Sequence, residues 1–347
     1  MFRSNTLFVV GAGASKEAGL PIGIELTEKI AALVQIQEQF GTVTKGDHVI
    51  YNALRELSGQ PEWPENQFLK SGSDVAEAME LAQSIDTFLE SHRGNREFVQ
   101  LGKLGIVRAI AMAEAEAASK LMATREGQSP FQLKALTDTW YYSLARQLFT
   151  GIPADKPDRA FENVSFIVFN YDRCLQTFLA RAAQVYFRLS PDKARELVGR
   201  VEFIHPYGSL GSVFEGTADH VPFGFLNFDI LAAANRIQTF SESSVLSATM
   251  RQRICAANTL IFLGFGFHEQ NIALMDIAQD LGVSEATPKR VFATTMGMSA
   301  SDEAVVRHQI SYALLGRPLN EDEQSSISTN SGTCNDLFST YWRSLTA

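Results

Sequence analysis

Five short, strongly apolar runs of four to six residues constrain the fold of this chain more than any other sequence feature. They lack the alternation of polar and apolar residues that marks a strand with one face in water, so they indicate strands buried on both faces, as in a parallel sheet. Helix-compatible segments separate the runs, and this alternation predicts an α/β fold with a Rossmann-like, doubly wound parallel sheet. The runs are Leu7–Val10, Val164–Phe169, Val201–Ile204, Leu260–Leu263 and Val291–Thr294.

The long interval between the first two runs predicts a large helical insertion. Apolar residues recur at helical spacing after Asp74, through Phe98–Met122 and through Phe131–Phe149. We predict one domain over residues 1–347 that includes a helical insertion or lobe at residues 30–151.

Three segments are predicted to be connections between these elements. Gly151–Pro157 combines glycine and two prolines and should return the chain to the sheet. Gly41–Gly46 is a further loop candidate. The tail at Asn320–Thr333 is rich in Ser, Glu, Asp and Asn, which is typical of a solvated connection.

Composition and charge exclude several classes of protein. With 30 basic and 39 acidic side chains, the formal charge of −9 argues against direct binding of a nucleic-acid backbone. No apolar run approaches the roughly 20 residues that span a bilayer, and the N-terminus has no signal-peptide layout. Three cysteines far apart in sequence make no C-x-x-C motif and suit a reducing compartment. We therefore expect a cytoplasmic protein with no membrane contact.

A glycine-rich turn follows the first apolar run. In Gly11–Ser15, glycines allow the backbone to approach a pyrophosphate, and a helix N-terminus supplies N–H donors. The alternative is a tight strand-to-helix turn with no ligand. Lys16 stands where the dehydrogenase fingerprint needs a third glycine, and no second strand with a terminal acidic residue follows at the expected distance. A nicotinamide-dependent dehydrogenase is therefore disfavoured.

Asn170 and Asp172 follow the second run, at the strand end where doubly wound folds bind ligands. The amide could orient a water and the carboxylate a ribose hydroxyl, although both residue types also serve as helix N-caps. His205 follows the third run beside a Gly-Ser turn, and its unperturbed pKa suits a base near neutral pH. Gly264–Phe267 repeats the strand-then-glycine layout after the fourth run.

These motifs, in this order, resemble the sirtuin-like superfamily. They are Gly-Ala-Gly-x-Ser followed by Gly-Leu-Pro, then Asn-Tyr-Asp, then a His/Gly-Ser-Leu turn, then Gly-Phe-Gly-Phe. More narrowly, they resemble prokaryotic sirtuin-like NAD hydrolases of antiphage defence. The resemblance implies a sirtuin-like NAD-binding domain with Asn170 and His205 as catalytic residues. The cofactor-binding residues that it implies are Gly11, Ala12, Gly13, Ser15, Pro21, Asp86, Asp172, Tyr207, Gly208, Ser209, Gly264, Phe265 and Gly266.

Two departures from the family pattern disfavour protein deacylation. Ile22–Ile24 stands where deacylases carry Asp-Phe-Arg, and three cysteines cannot build their four-cysteine zinc ribbon, so we expect no zinc. The family histidine precedes Gly-Ser directly, where this chain has Tyr207, with His205 two residues upstream. On an extended segment these two side chains point the same way, so His205 could reach the ribose. Alternatively, the base is missing and the site binds NAD or ADP-ribose without efficient cleavage.

The resemblance therefore implies an NAD hydrolase that acts as an abortive-infection effector. NAD would be its substrate, and it would form a homo-oligomer controlled by assembly or by a partner such as a DNA-translocating ATPase or an Argonaute-like protein. The alternatives are an NAD- or ADP-ribose-binding regulatory module and, less favoured, a protein deacylase or ADP-ribosyltransferase.

Overall fold

A six-stranded parallel sheet forms the centre of the molecule. The computed structural model describes residue 2 and residues 4–58, 67–121, 133–278 and 289–346. Counted in chain order, the strands lie 3-2-1-4-5-6 across the sheet, which is the Rossmann arrangement. The predicted fold class is confirmed. The strands are β1 (Thr6–Val10), β4 (Val164–Val168), β5 (Phe203–Ile204), β6 (Thr259–Leu263), β7 (Arg290–Thr294) and β8 (Ile327–Asn330).

Alternate side chains of the central strands enter two separate hydrophobic cores. In β1, Leu7 and Val9 pack into the core on one face of the sheet, and Phe8 and Val10 pack into the core on the other face. Because both faces are covered, every residue of the strand is buried, and its one polar residue, Thr6, stands at its start. This burial explains the uninterrupted apolar run in the sequence.

Most of the described chain between β1 and β4 is helical. The 3-10 turn Leu133–Leu136 precedes α7, so the helix predicted at Phe131–Phe149 is shorter than expected. The first two residues of that predicted helix lie outside the described residues. Met122, the last residue of the helix predicted at Phe98–Met122, lies outside them as well. The limits of the insertion at residues 30–151 stay a prediction. The helices are α1 (Ala12–Ser15), α2 (Gly23–Val34), α3 (His48–Ser58), α4 (Gln67–Met79), α5 (Ile85–Ser91), α6 (Arg96–Leu121) and α7 (Trp140–Phe149).

The helical run predicted after Asp74 is divided into two helices. Helix α4 ends at Met79, and α5 begins after Ser84, whose Oγ accepts a hydrogen bond from Thr87 N at 3.2 Å. A serine N-cap of this kind satisfies a backbone donor that has no partner within the helix. The new helix start therefore turns Asp86 toward the carboxyl end of the sheet.

Two predicted loops contain strands. The segment predicted as a loop at 41–46 belongs to an antiparallel hairpin, β2 (Gln37–Gln39) with β3 (Thr42–Lys45), whose residues are nearly all exposed. The polar tail contains β8, which pairs with β7 at the edge of the sheet. Neither segment has the apolar run that marks a central strand, since a hairpin in solvent and an edge strand bury little.

Seven further helices complete the described chain after β4. None of the helices within the described ranges is long and apolar enough to cross a membrane. These helices are α8 (Cys174–Phe187), α9 (Pro191–Gly199), α10 (Ile230–Ala234), α11 (Ser244–Ala256), α12 (Glu269–Met275), α13 (Ala300–Leu315) and α14 (Cys334–Tyr341).

Candidate functional site

A cleft of about 430 Å³ opens at the carboxyl ends of β1, β4 and β6, where the strand order reverses. Ligands of doubly wound folds bind at this position, and the volume is typical of small-molecule sites. Ser84, which precedes α5, and Ile110 of α6 also line the cleft. The predicted site residues that line it are Gly11, Ala12, Gly13, Ser15, Pro21, Asp86, Asn170, Asp172, Tyr207, Gly264, Phe265 and Gly266.

The glycine turns after β1 and β6 pack directly against each other. Gly11 N donates to Leu263 O at 2.9 Å, and Gly13 N donates to Gly264 O at 3.0 Å. A Cβ on Gly264 would lie 2.0 Å from Ala14 N, and Gly264 has a φ of +55°. Contact between two turns is therefore sufficient to require these glycines, and two N–H groups expected to face a pyrophosphate are already bonded within the chain.

A hydrogen-bonded chain of three side chains forms the floor of the cleft. Asn170 Nδ2 donates to Ser15 Oγ at 2.6 Å, and Ser15 Oγ donates to Asp172 Oδ2 at 2.7 Å. The other oxygen of Asp172 accepts from Cys174 N at 3.0 Å. The N-cap of that helix is Arg173 and not Asp172, but Asp172 bonds both to the helix start and to the site residue Ser15. This chain fixes the orientation of the Asn170 amide.

The amide oxygen of Asn170 is the atom of this cluster that has no hydrogen-bond partner among the described residues. Asn170 is 5% exposed, and among the described residues nothing hydrogen-bonds its Oδ1 atom. A buried polar atom without a partner costs about 1–3 kcal/mol. Because this residue lines the cleft, a ligand or water donor at that position would satisfy it.

His205 does not line the cleft, and this differs from the expectation that His205 and Tyr207 face it together. Residues 205–208 form a turn in which Gly208 N donates to His205 O at 3.1 Å, so the segment is not extended. The His205 ring instead lies behind the strand end, with Nδ1 3.2 Å from Asn170 O and Nε2 2.7 Å from Gln176 Nε2. Gly208 and Ser209 also lie outside the cleft lining.

These two contacts fit a neutral His205 that donates from Nδ1 and accepts from Gln176. Burial is the main cause that lowers the pKa of His205, which agrees with the neutral form. In this geometry His205 holds the backbone of the catalytic candidate Asn170 and has no direct access to a ligand in the cleft.

Two tyrosines connect the sheet to the opposite wall of the cleft. Tyr171 OH donates to Asp86 Oδ1, and Tyr207 OH donates to Asn271 Oδ1 at 2.6 Å. Desolvation is the main cause that raises the pKa of Asp86, more than its hydrogen bond from Tyr171 lowers it. Desolvation also raises the pKa of Tyr207, so its phenol stays protonated.

The cleft also contains residues that sequence reasoning did not assign to it. His268 and Asn271, at the start of α12, line the wall opposite the floor. His268 follows the Gly-Phe-Gly-Phe motif directly and Asn271 lies three residues further on, and this placement is the sequence signal for both. Tyr171, between the two predicted residues of its motif, also lines the cleft and was not among the predicted site residues.

A buried ion pair between Arg173 and Glu114 holds the segment that follows β4. Arg173, next to Asp172, donates through its backbone N to Glu114 Oε1 at 2.9 Å and through Nε to the same oxygen at 3.1 Å. Its guanidinium also donates to Val221 O at 2.6 Å. The exposed fractions of the Arg173 and Glu114 side chains are 2% and 0%. Helix α6 is thereby joined both to the residues that follow the Asn170–Asp172 motif and to the loop that follows β5.

The strand order defines a Rossmann-like α/β protein, with a cleft at the position where such folds bind ligands. Residues 164–325 match the family model of the SIR2-like domain, just under half of the chain. This segment is therefore similar to SIR2-like domains, and the resemblance is confirmed at the level of the sirtuin-like superfamily. No curated protein gives a significant match.

No group of three or more His, Cys, Asp or Glu side chains in the described part of the chain could hold a metal ion. The three cysteines are free, with Cys174 and Cys334 buried and Cys255 half-buried. Burial raises the pKa of the Cys174 thiol, which therefore stays protonated. The expected absence of zinc stays a prediction.

Proposed function

We propose that this protein is an NAD glycohydrolase, which cleaves NAD with water to nicotinamide and ADP-ribose. The observation that carries this proposal is the Asn170 amide: its nitrogen is fixed by Ser15, and its oxygen is buried at the cleft without a partner. A SIR2-like domain is consistent with NAD binding.

The residues of the cleft fit the polar groups of NAD. Asn170 Oδ1, which has no partner among the described residues, is an acceptor for a ribose hydroxyl or for the attacking water. Asp86 adds a second acceptor on the facing wall, and the apolar lining, including Phe265, excludes bulk water. Departure of nicotinamide creates an oxocarbenium-like centre, as in glycoside hydrolysis.

In this mechanism the residues of the chain bind, orient and accept protons. Asn170 orients the water or the ribose, while Ser15 and Asp172 keep its amide in one orientation. His205 supports Asn170 through the backbone carbonyl. Asp86 and His268, which line the cleft, are the groups placed to accept the proton of the water.

A specific observation favours a second function, that of a regulatory module that binds NAD or ADP-ribose without cleaving it. The side chain of His205 lies outside the cleft, bonded to Gln176 and to Asn170 O. If no other group accepts a proton efficiently, the site would bind its ligand and turn over slowly. The protein deacylase and ADP-ribosyltransferase readings stay less favoured.

The biological setting that we propose is antiphage defence by abortive infection. The protein would be a cytoplasmic effector that depletes NAD, kept inactive until homo-oligomer assembly or a partner releases it. A DNA-translocating ATPase and an Argonaute-like protein are the partners that we propose. Support for this setting is the resemblance of the motifs to prokaryotic sirtuin-like NAD hydrolases.

The test is nicotinamide release from NAD by the purified full-length chain and by Asn170→Ala. We expect at least a ~100-fold loss, as for removal of a positioned catalytic group. Asn227→Ala, at an exposed asparagine of a loop, is the matched control and should keep parental turnover. If folded Asn170→Ala keeps parental turnover under conditions that activate the parent, Asn170 is not catalytic.

Titration calorimetry separates the enzyme from the binding module. A glycohydrolase releases nicotinamide, whereas a regulatory module binds ADP-ribose saturably and releases none over the same period. Addition of an acyl-lysine peptide tests the deacylase reading, which predicts loss of the acyl group in proportion to NAD consumed.

A further inference from the structure

The hairpin formed by β2 and β3 ends in an exposed phenylalanine. Gln39 of β2 pairs with Thr42 of β3. Only Phe40 and Gly41 lie between them, so the turn has two residues. Phe40 is 95% exposed, and nearly all residues of the two strands are exposed as well. The hairpin therefore contributes little to the cores of the molecule.

The backbone of this turn disfavours phenylalanine. The φ angle is +52° at Phe40 and +79° at Gly41. Two-residue hairpin turns with two positive φ angles favour Asn-Gly or Asp-Gly, because a left-handed φ brings the Cβ of most other residues too close to the backbone. Phe40 thus combines an unfavourable backbone conformation with an apolar ring in solvent. Contact of this ring with a second molecule would offset both costs.

A groove of about 1190 Å³ lies at the base of the same hairpin, between α2 and α4. Gln35 and Lys45, at the two ends of the hairpin, line its edge. Apolar side chains of the groove include Ala31, Ala32 and Leu81, and Leu81 is 93% exposed. The groove therefore presents apolar surface to solvent.

The groove is lined by acidic side chains, whereas the hairpin is neutral. Residues 37–45 contain one carboxylate, that of Glu38, and one ammonium group, that of Lys45. The edge of a phenyl ring carries a positive partial charge, so carboxylates beside the groove do not repel Phe40. The lining carboxylates are those of Glu28, Glu77 and Glu80.

The tip of the hairpin and the groove are neighbours on the surface. Five residues of chain separate Phe40 from Gln35 and from Lys45, which corresponds to roughly 16 Å of extended strand. At 95% exposure, Phe40 does not enter the groove of its own chain. In a two-fold dimer the same surface patch is used by both subunits, so a neighbouring tip and groove can be exchanged in pairs.

We propose that a second copy of this chain docks here, with Phe40 of each copy seated in the groove between α2 and α4 of the other. This interface reaches the edge of the candidate NAD cleft, because Ile24 lines both the groove and the cleft. The proposal names a surface for the homo-oligomer proposed above. It does not depend on NAD hydrolysis, because association is measured without NAD.

The first test is sedimentation equilibrium of the full-length chain and of Phe40→Asn at micromolar concentrations. We expect the parent chain to dimerise and Phe40→Asn to dimerise about 100-fold more weakly, because burial of each phenyl ring corresponds to roughly 10-fold in affinity and a two-fold interface contains two. Asparagine is favoured at this turn position, so the same variant should raise the urea midpoint of the dilute monomer. The matched control is Phe225→Asn, at a 44% exposed phenylalanine of another loop, which should leave dimerisation unchanged.

A disulfide experiment tests the groove as the seat of Phe40. Phe40→Cys and Leu81→Cys chains, mixed and oxidised, should form a disulfide between the two copies, identified by mass spectrometry of the linked peptides. Phe40→Cys mixed with Phe225→Cys should form none. The parent chain, whose own cysteines are buried or half-buried, gives the background.

Three results would overturn the proposal. They are a parent chain that stays monomeric at micromolar concentrations, an unchanged dimer in Phe40→Asn, and no disulfide between Phe40→Cys and Leu81→Cys chains. A lower urea midpoint of monomeric Phe40→Asn would likewise show that the ring supports its own chain and not a second copy. Asn170→Ala should dimerise as the parent does, so failure of the proposed NAD hydrolysis and failure of this interface give separate results.

Discussion

Replacement of Glu114 by glutamine should destabilise the fold strongly. Glu114 is the carboxylate that faces the guanidinium and the backbone N–H of Arg173, at 0% exposure. Glutamine keeps one acceptor oxygen but presents an NH₂ donor to the other guanidinium nitrogen and leaves a buried positive charge. Removing one partner of a buried pair costs about 3–5 kcal/mol, and we expect that loss in the free energy of unfolding.

Replacement of Arg173 is the second single variant, and its loss of stability follows from the other contacts of Arg173. Its guanidinium also donates to Gly211 O and Val221 O, so Arg173→Met leaves two carbonyls with one donor fewer, at about 1 kcal/mol each. The double variant Glu114→Gln/Arg173→Met removes both charges together. It should be less destabilised than the sum of the single variants by roughly 2 kcal/mol, within the range for residues in direct contact.

The assay is urea denaturation of each full-length variant, followed by far-ultraviolet circular dichroism. The matched control is Glu196→Gln, which breaks a surface pair with Arg200 whose side chains are both 64% exposed. Exposed pairs contribute about 0–1 kcal/mol, so this variant should be nearly neutral. If Glu114→Gln loses no more stability than Glu196→Gln, the buried pair does not hold the strand end as argued.

Three further predictions concern the cleft and the cysteines. His205→Ala should lower nicotinamide release about 10–100-fold with an unchanged pH profile, because His205 positions Asn170, while Tyr207→Phe should keep most turnover; a profile that loses its acidic limb would make His205 the base. Burial disfavours the ionised form of Asp86 in the folded state and raises its pKa. The resulting loss of folding stability is absent below the ordinary pKa of about 4 and grows as the pH rises through the raised pKa. Asp86→Asn should therefore raise the urea midpoint at pH 7 and not at pH 4, and equal effects at both pH values would contradict this sign. Elemental analysis of protein purified without added metal should find well under one zinc per chain, whereas a stoichiometric value would reopen the deacylase reading.

The sheet was predictable because burial on both faces leaves a direct record in the sequence. Most positions of the central strands are apolar, and the motifs that bear the polar site residues follow those strands. Edge strand β8 and the β2–β3 hairpin escaped prediction because strands with little buried surface place few demands on residue type. The split between α4 and α5 depended on a single serine cap within a helix-compatible run.

Most residues proposed for the cleft were identifiable because strand ends of a parallel sheet meet at one edge. The sequence by itself therefore determined the fold class, the edge at which Asn170 and Asp172 lie, and the glycines of the two turns. It did not determine the direction of His205, because the turn at residues 205–208 rotates that ring toward Gln176 and away from the cleft.

Contacts across long sequence separations were decided by the tertiary structure alone. Glu114 reaches Arg173 from a helix 59 residues earlier in the chain, and Tyr171 reaches Asp86 across 85 residues. Such pairs depend on how helices pack on the sheet, and local spacing carries no record of that packing.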